Sequence, residues 1–350
     1  MEKHQTLNQK ALEALLMTDS PSSIEDEVYD FVNEFNNDSC LIERDTLGNI
    51  FLSIAGGSKS SVMIAAHCDE IGLQVVHITE GGLIRFRPIG GVDTKATAGR
   101  HVNIFSNGSK IPGVICKNPI HIENVDNKDK SIIFSDMWID IGCSSSDEAK
   151  GLISVGDIIS FSPNYIKLTD NRISSKALDN KLGVFVAVSA IKRLSEASFT
   201  ASKVTTVLTS QEEVGSKGAT VAANSLKPTW GICIDVGVAT DCPGVQSDKY
   251  GELYLSKGPG LSYSTDTSIT LTHQAAVILE REGIPFQKTV GLSATGGTDT
   301  MRMQIAGNGV PCLLISIPIR SMHTPTEVCD LNDVSSAIDA VVALIRGIRI

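Results

Sequence analysis

The sequence predicts an α/β protein interrupted by a small, β-rich insertion. Three observations carry this. The two outer parts of the chain alternate amphipathic helical periods with short, buried apolar runs. The middle part breaks into short apolar runs separated by Gly, Asn and Ser, with no long helical period. The texture after this stretch matches the texture before it. One discontinuous α/β domain, residues 1–71 and 165–350, around an inserted domain of residues 72–164, is therefore the simplest organisation.

The elements follow in order. Leu7, Ala11, Leu12, Leu15 and Leu16 fall at helical spacing and predict a helix over Leu7–Met17, closed by the turn Asp19-Ser20-Pro21. Val28, Phe31, Val32 and Phe35 mark one face of a second helix over Glu25–Asn36. Strands are expected at Leu41–Glu43 and Asn49–Ile54. SVMIAAHCDEIG, from Ser61, reads as a buried strand ending in polar residues. In the insertion, LQVVHI, GLIRFRPIGG, HVNIFSNG, IPGVICK, SIIFSDMWIDIG and DIISFSP predict the short strands of a barrel or sandwich. One short helix is expected near Ser146–Leu152. Beyond it, Leu182, Phe185, Val186, Val188 and Ile191 define a helix over Asn180–Leu194. KVTTVLTS, WGICIDVG and VPCLLISIPI read as strands. SITLTHQAAVILEREGIP reads as a helix stopped by Gly283 and Pro285. A final helix over Asn332–Arg346 carries Val334, Ile338, Val341, Val342 and Ile345 on one stripe.

Bulk composition removes several function classes. A chain of 350 residues favours roughly two domains. Its 42% hydrophobic and 20% charged residues suit a globular protein. A net charge of −10 without a long Lys/Arg run argues against a nucleic-acid partner. The eight cysteines are scattered, form no CxxC pair and sit partly in apolar runs, as expected of free thiols in a reducing compartment. The polar, amphipathic start is unlike a secretory signal, and no apolar run reaches the ~20 residues that span a bilayer. The expectation is a soluble, cytoplasmic protein with no membrane partner.

Five segments place an acid or imidazole where an apolar strand ends or a helix begins. They are IAAHCDEIG (His67, Asp69), KALDNKLG (Asp179), VLTSQEEVGSKGA (Glu212, Glu213), GICIDVG (Asp235) and ISIPIRSMHTPTEV (His323). Residues just past parallel strands converge on the crevice at the carboxyl edge of an α/β sheet. Singly, each has an ordinary explanation. Asp179 suits an N-cap, Asp235 an Asx turn and Glu212-Glu213 a solvated loop. Together they are hard to bury without a cation, because unpaired buried carboxylates are costly. Two histidines with several carboxylates suit a pair of zinc, cobalt or manganese ions. In the adjacent Glu212-Glu213 pair, one carboxylate can bind metal while the other acts as a base; spacing alone allows either order.

These motifs, with GGTDT at 296–300 and with RPIGGVD and MWIDIGCSSSDEAKGLISVGDIISFSP in the insertion, resemble the tetrahedral aminopeptidases, the glutamyl aminopeptidase family of dinuclear metallopeptidases. The likeness runs over nearly the whole chain, in the family's order. It implies a mixed-sheet α/β metallopeptidase domain of the phosphorylase/hydrolase-like kind, with an inserted β-barrel that dimerises. It implies that His67 and Asp235 hold one metal, Glu213 and His323 the other, and that Asp179 bridges them. Glu212 would be the general base for a water activated by two metals, and Asp69 would orient His67 or a neighbouring group. Thr298 or Asp299 would contact substrate. Two divalent ions per subunit, Zn2+ or Co2+ with Mn2+ as a further option, peptide substrates, and dimers building a tetrahedral dodecamer complete the expectation. His77, His101, His121 and His273 read as ordinary residues. Two departures stand out. Many relatives carry Asp-Asp-Arg where this chain has Asp179-Asn180-Lys181, and Met is common at Cys68. Other readings are a metal-free, paired-carboxylate glycosidase, a carboxypeptidase or deacylase of the wider clan, and a scaffold that has lost catalysis. The residue preferred at the substrate's N-terminus is not fixed by the sequence.

Overall fold

The structure is a computed structural model. It describes residues 7–34, 40–57, 60–122, 131–197, 199, 201–291 and 297–350. The expected helix end at Phe35 and Asn36, and Gly296 of the GGTDT motif, lie outside the described residues.

Helices α1 (Gln9–Leu16) and α2 (Asp26–Asn33) lead into strands β1 (Leu41–Arg44), β2 (Ile50–Ile54) and β3 (Ser61–His67). Asn8 caps α1 by accepting from the Ala11 N–H at 3.2 Å, and the helix buries Leu12, Leu15 and Leu16. The chain then builds β4 (Gly72–Ile78), β5 (Ile84–Ile89), β6 (His101–Ser106), β7 (Ser109–Lys117), β8 (Met137–Asp140), α3 (Ser146–Lys150) and β9 (Ile158–Phe161). It continues through β10 (Ile166–Lys167), β11 (Arg172–Ser175), α4 (Leu178–Glu196), β12 (Lys203–Thr209), α5 (Lys217–Leu226) and β13 (Trp230–Val238). The last part holds α6 (Ser247–Tyr250), β14 (Gly260–Ser262), α7 (Ile269–Glu282), β15 (Gln287–Thr289), α8 (Thr300–Met303), β16 (Cys312–Arg320), β17 (Glu327–Asp330) and α9 (Leu331–Gly347).

One large mixed sheet has the order β1-β2-β12-β3-β13-β16-β17-β11-β10, with β14 on β16 and β15 on β14. Its centre, β12-β3-β13-β16, is parallel. These strands alternate between two cores. Val62, Ile64 and Ala66 of β3 join Ile232 and Ile234 of β13 in a core shared with α1, α4, α7 and α9. Met63 and Ala65 join Cys233, Leu314 and the alanines of α5 on the opposite face. Burial on both faces explains why these strands read as continuous apolar runs. The period of two places His67 and Asp235 on the same face as Met63 and Cys233, toward α5 and α8.

The inserted strands close a barrel in the order β4-β5-β8-β7-β6-β9, with β9 returning to β4. Leu73, Ile84, Phe86, Val102, Ile104, Ile115, Ile139 and Ile159 fill it. Of the two architectures the short strands allowed, the barrel is the one formed. The helix expected near Ser146–Leu152 is α3, which ends at Lys150 and is capped by Ser145. α7 stops at Gly283, whose φ of 66° lies in the left-handed region that favours glycine. The pairs β10-β11 and β14-β15 were not legible, because each has a strand of two or three residues.

A buried charge network joins barrel and sheet domain. Lys176 Nζ lies 2.8 Å from Asp19 Oδ1 and 2.6 Å from Glu70 Oε1. Ser160 of β9 donates to Asp19 Oδ1 at 2.8 Å, Asn103 of β6 donates to Oδ2 at 3.1 Å, and Lys110 of β7 bridges to Oδ2 at 2.7 Å. Lys181, at the departure from the family pattern, donates to the Thr18 carbonyl at 2.5 Å and sits 3.4 Å from Glu70 Oε2. Burial pulls its pKa down to about 8, although Glu70 opposes this.

Candidate metal centre

His67 is the last residue of β3 and Asp235 lies on β13, so two strands of the parallel centre present them side by side. Asp179 stands at the entry to α4, where it and Asn180 have non-helical dihedrals; the Asp179–Asn180 peptide is cis. Glu212 and Glu213 follow β12, after Gln211 at φ 59°. His323, at φ 61°, lies in the turn between β16 and β17. Buried Glu327 ties two of these segments together. Its Oε2 accepts from the Asp179 N–H at 3.0 Å and its Oε1 from the His323 N–H at 2.9 Å. The sequence reading missed Glu327. Its only signal was an acid four residues after His323 in a motif already assigned to that histidine.

The side chains meet around Asp179. Its Oδ1 lies 3.1 Å from His67 Nε2, and its Oδ2 lies 3.3 Å from His323 Nε2. His67 Nε2 is also 3.5 Å from Asp235 Oδ1, and His323 Nε2 is 3.8 Å from Glu213 Oε2. Two groups of potential ligand atoms result, His67/Asp179/Asp235 and Asp179/Glu213/His323, each with its atoms within 4.8 Å of one another. Asp179 is common to both. Glu213 belongs to the second group and Glu212 to neither.

The far nitrogen of each imidazole is anchored. His67 Nδ1 is 3.0 Å from the Asp69 carbonyl, and His323 Nδ1 is 3.0 Å from the Gly91 carbonyl. An N–H there leaves Nε2, which faces the carboxylates, as the nitrogen that would become a ligand once a cation displaces its proton. The Asp69 carboxylate has a different task. It accepts from the Glu212 N–H at 2.9 Å, the Glu213 N–H at 3.2 Å and Ser22 Oγ at 2.5 Å. Asp69 thus holds the glutamate turn with its side chain and the His67 ring chiefly with its backbone.

The electrostatics call for positive charge. Burial raises Glu213 well above the usual carboxylate range, with the Asp179 charge adding to it, and burial also raises Asp235. Burial works against ionised Asp179 as well, but hydrogen bonds from His323 and His67 outweigh it and hold its pKa down. Burial pushes Glu212 up to about 9; His67 opposes this, while Asp235, Asp299 and Asp69 reinforce it. Glu213 Oε1 is buried and finds no partner among the described residues. Two atoms each ~2.1 Å from one tetrahedral cation lie ~3.4 Å apart, close to the separations of 3.1–3.8 Å around Asp179, His67 and His323. The donor set, its spacing and the orphaned oxygen all fit a pair of divalent cations.

Thr298 and Asp299 take separate positions. Thr298 Oγ1 accepts from the Thr300 N–H at 3.3 Å, and Thr298 lines a cavity together with Val236, Gly237 and Met322. Asp299 is buried, accepts from Thr209 Oγ1, and makes no capping bond to α8. Burial pushes it up to about 7, with His67 and Thr209 opposing. Cys68 is buried, and its thiol donates to the Thr209 carbonyl at 3.3 Å, so it packs beneath the site. Among the described residues, His77, His101, His121 and His273 join neither ligand group.

Fold and side-chain geometry together define the class: a mixed-sheet α/β protein with an inserted barrel and two groups of potential metal ligands sharing one aspartate. The chain belongs to the M42 glutamyl aminopeptidase family, which it matches over residues 48–339. It is 34% identical over 308 residues to an Acetivibrio thermocellus protein, covering 87% of this chain and 88% of that one. It is 31% identical over 331 residues to a lysyl aminopeptidase of Pyrococcus furiosus, covering 93% and 92%. Among solved structures, a TET aminopeptidase from a marine sediment Thaumarchaeota archaeon superposes with a TM-score of 0.91 at 29% identity, covering 96% of this chain and 95% of that one. The Pyrococcus horikoshii TET1 peptidase, described as assembling into a tetrahedron or a large octahedral shell, gives 0.85 at 32% identity, covering 96% and 98%. Among the described residues, no helix is long and apolar enough to cross a membrane.

Proposed function

We propose that this protein is a cytoplasmic aminopeptidase that binds two divalent cations per subunit and removes N-terminal residues from peptides. His67 and Asp235 hold one cation, Glu213 and His323 the other, and Asp179 is shared. The observation that carries the reading is the placement of the two Asp179 oxygens against two different imidazoles, at 3.1 and 3.3 Å. A cation pair bound there supplies Lewis acidity toward the substrate carbonyl and makes water a stronger acid. Zn2+ or Co2+ suits the donors, with Mn2+ also compatible with so many carboxylates.

Glu212 is the proton carrier. It is free of both ligand groups, is oriented by a 3.1 Å hydrogen bond from Ser216 Oγ, and has its backbone pinned by Asp69. It takes a proton from the attacking water and returns it to the departing amine. Asp69 acts by positioning: it fixes the Glu212-Glu213 turn and the His67 ring. The inserted domain, residues 72–164, serves as the dimerisation module of a larger shell. The assembly described for the P. horikoshii TET1 peptidase supports this.

The test is Glu212→Gln. It is expected to keep both metals by elemental analysis while kcat on aminoacyl anilides falls by about 100-fold or more. Metal lost together with activity, or activity retained, would remove Glu212 from the role of base.

A further inference from the structure

A cavity of about 200 Å³ is lined by sequence neighbours of the candidate metal ligands. Its lining includes Val236 and Gly237, just after Asp235, as well as Met322, just before His323, and Thr298, just before Asp299. Ser316, paired with Asp235 in the β13–β16 register, lines it too. Gly237 shares the face of Asp235 by strand alternation. A Cβ on it would fall 2.6 Å from Leu253 Cδ2, so the glycine keeps this wall open.

The chemistry of the lining is uneven. Leu253 and Leu314 give it apolar walls, and no described lining residue is Lys, Arg or His. Two polar atoms in it are buried with no partner among the described residues, Asp266 Oδ2 and Ser262 Oγ. Asp266 is only 3% exposed, and Ser264 Oγ donates to its other oxygen, which fixes the carboxylate. A buried carboxylate oxygen and hydroxyl without partners are costly unless a ligand completes them. An acidic side chain entering here would meet like charge. A leucine would fill the space and leave Asp266 unpaired. A lysine or arginine lays its methylenes on the apolar walls and brings a cation to Asp266.

We propose that this cavity receives the side chain of the substrate's N-terminal residue, and that Asp266 makes it selective for lysine or arginine. This rests on the aminopeptidase reading above and adds its substrate class. The names of the family and its members divide between glutamyl and lysyl, so the lining decides rather than the names.

The test compares kcat/KM of the metal-loaded enzyme on lysyl, arginyl, leucyl and glutamyl p-nitroanilides. Lysyl or arginyl is expected to exceed leucyl by about 10-fold or more, with glutamyl the poorest. Asp266→Asn is expected to lower the lysyl-to-leucyl ratio by about 10- to 100-fold. Competition by L-lysinamide and L-norleucinamide, equal in length but differing in charge, gives a reading on the wild-type enzyme that needs no variant. Lysinamide is expected to inhibit at about 10-fold lower concentration. A preference for glutamyl or leucyl substrate, an unchanged ratio in Asp266→Asn, or equal inhibition by the two amides overturns the assignment and leaves the aminopeptidase standing. Failure of the wild type to cleave any of the anilides overturns the aminopeptidase reading, and this inference with it.

Discussion

At the scale of residues, the site is a problem in charge compensation. Asp179, Glu213 and Asp235 converge with His67 and His323, and Glu212, Asp299 and Asp69 stand close behind. Without a cation, protons must offset the negative charge. Burial pushes Glu212 up to about 9 and Asp299 to about 7, and the neighbouring carboxylates add to both shifts. Carboxylates whose folded pKa is raised bind a proton more tightly when folded. Their contribution to stability is complete below the unfolded values, 4.5 for Glu212 and 3.8 for Asp299, and is lost as pH rises through the folded values. The metal-free protein is therefore expected to lose melting temperature steadily from about pH 5 to about pH 9. Asp179, with its lowered pKa, acts in the opposite sense only at strongly acidic pH. Saturating Zn2+ is expected to flatten the loss, because the cation replaces the protons. Melting curves across pH, with and without a chelator, read this directly; parallel curves would mean that metal and protons do not compete for these groups.

At the scale of elements, much of the candidate site was legible because strand ends are legible. The runs before His67 and Asp235 are buried on both faces, and strand alternation then fixes which face the next polar residue takes. The loops were less so. Gln211 at φ 59° and His323 at φ 61° turn their segments in ways no local pattern announces. Asp69 holds the Glu212-Glu213 turn from far along the chain, whereas Glu327 holds His323 from four residues on and reaches far only to Asp179. Spacing left the order of Glu212 and Glu213 open; the separation that distinguishes them, Glu213 Oε2 to His323 Nε2 at 3.8 Å, is tertiary. The loop after β5 is a further long-range support. Gly91 accepts from His323 through its carbonyl, and a Cβ on it would fall 2.7 Å from His323 Nδ1. Gly91→Ala is therefore expected to displace His323 and weaken the Glu213/His323 site alone, by about 10-fold or more in metal affinity. Calorimetric metal titration would show one strong and one weakened class of site; two unchanged classes would mean that the loop does not position His323.

At the scale of the whole molecule, barrel and sheet domain are joined by buried charge as well as by the chain. Asp19, Glu70, Lys176 and Lys181 lie in the interior, with Ser160, Asn103 and Lys110 reaching in from the barrel. Lys181 lies two residues past Asp179, so the junction also braces the entry to α4. Lys176→Met would leave Asp19 and Glu70 without their principal cation. It is expected to cost about 3–5 kcal/mol in urea denaturation, whereas a change below about 1 kcal/mol would mean that Lys110 and Lys181 suffice. The composition and texture of the sequence pointed to an interrupted α/β chain, but no run of residues announced this junction. Its members come from five separate segments, and a buried lysine looks like any other lysine until its partners are in place.

The central claim is that Asp179 is shared between two metal sites. The direct measurement is the metal content per chain of wild type and Asp179→Ala, each folded by circular dichroism, after dialysis against a limiting free concentration of Zn2+. Two ions per wild-type chain and the loss of both in Asp179→Ala are expected. Loss of one ion only, or of none, would contradict the claim.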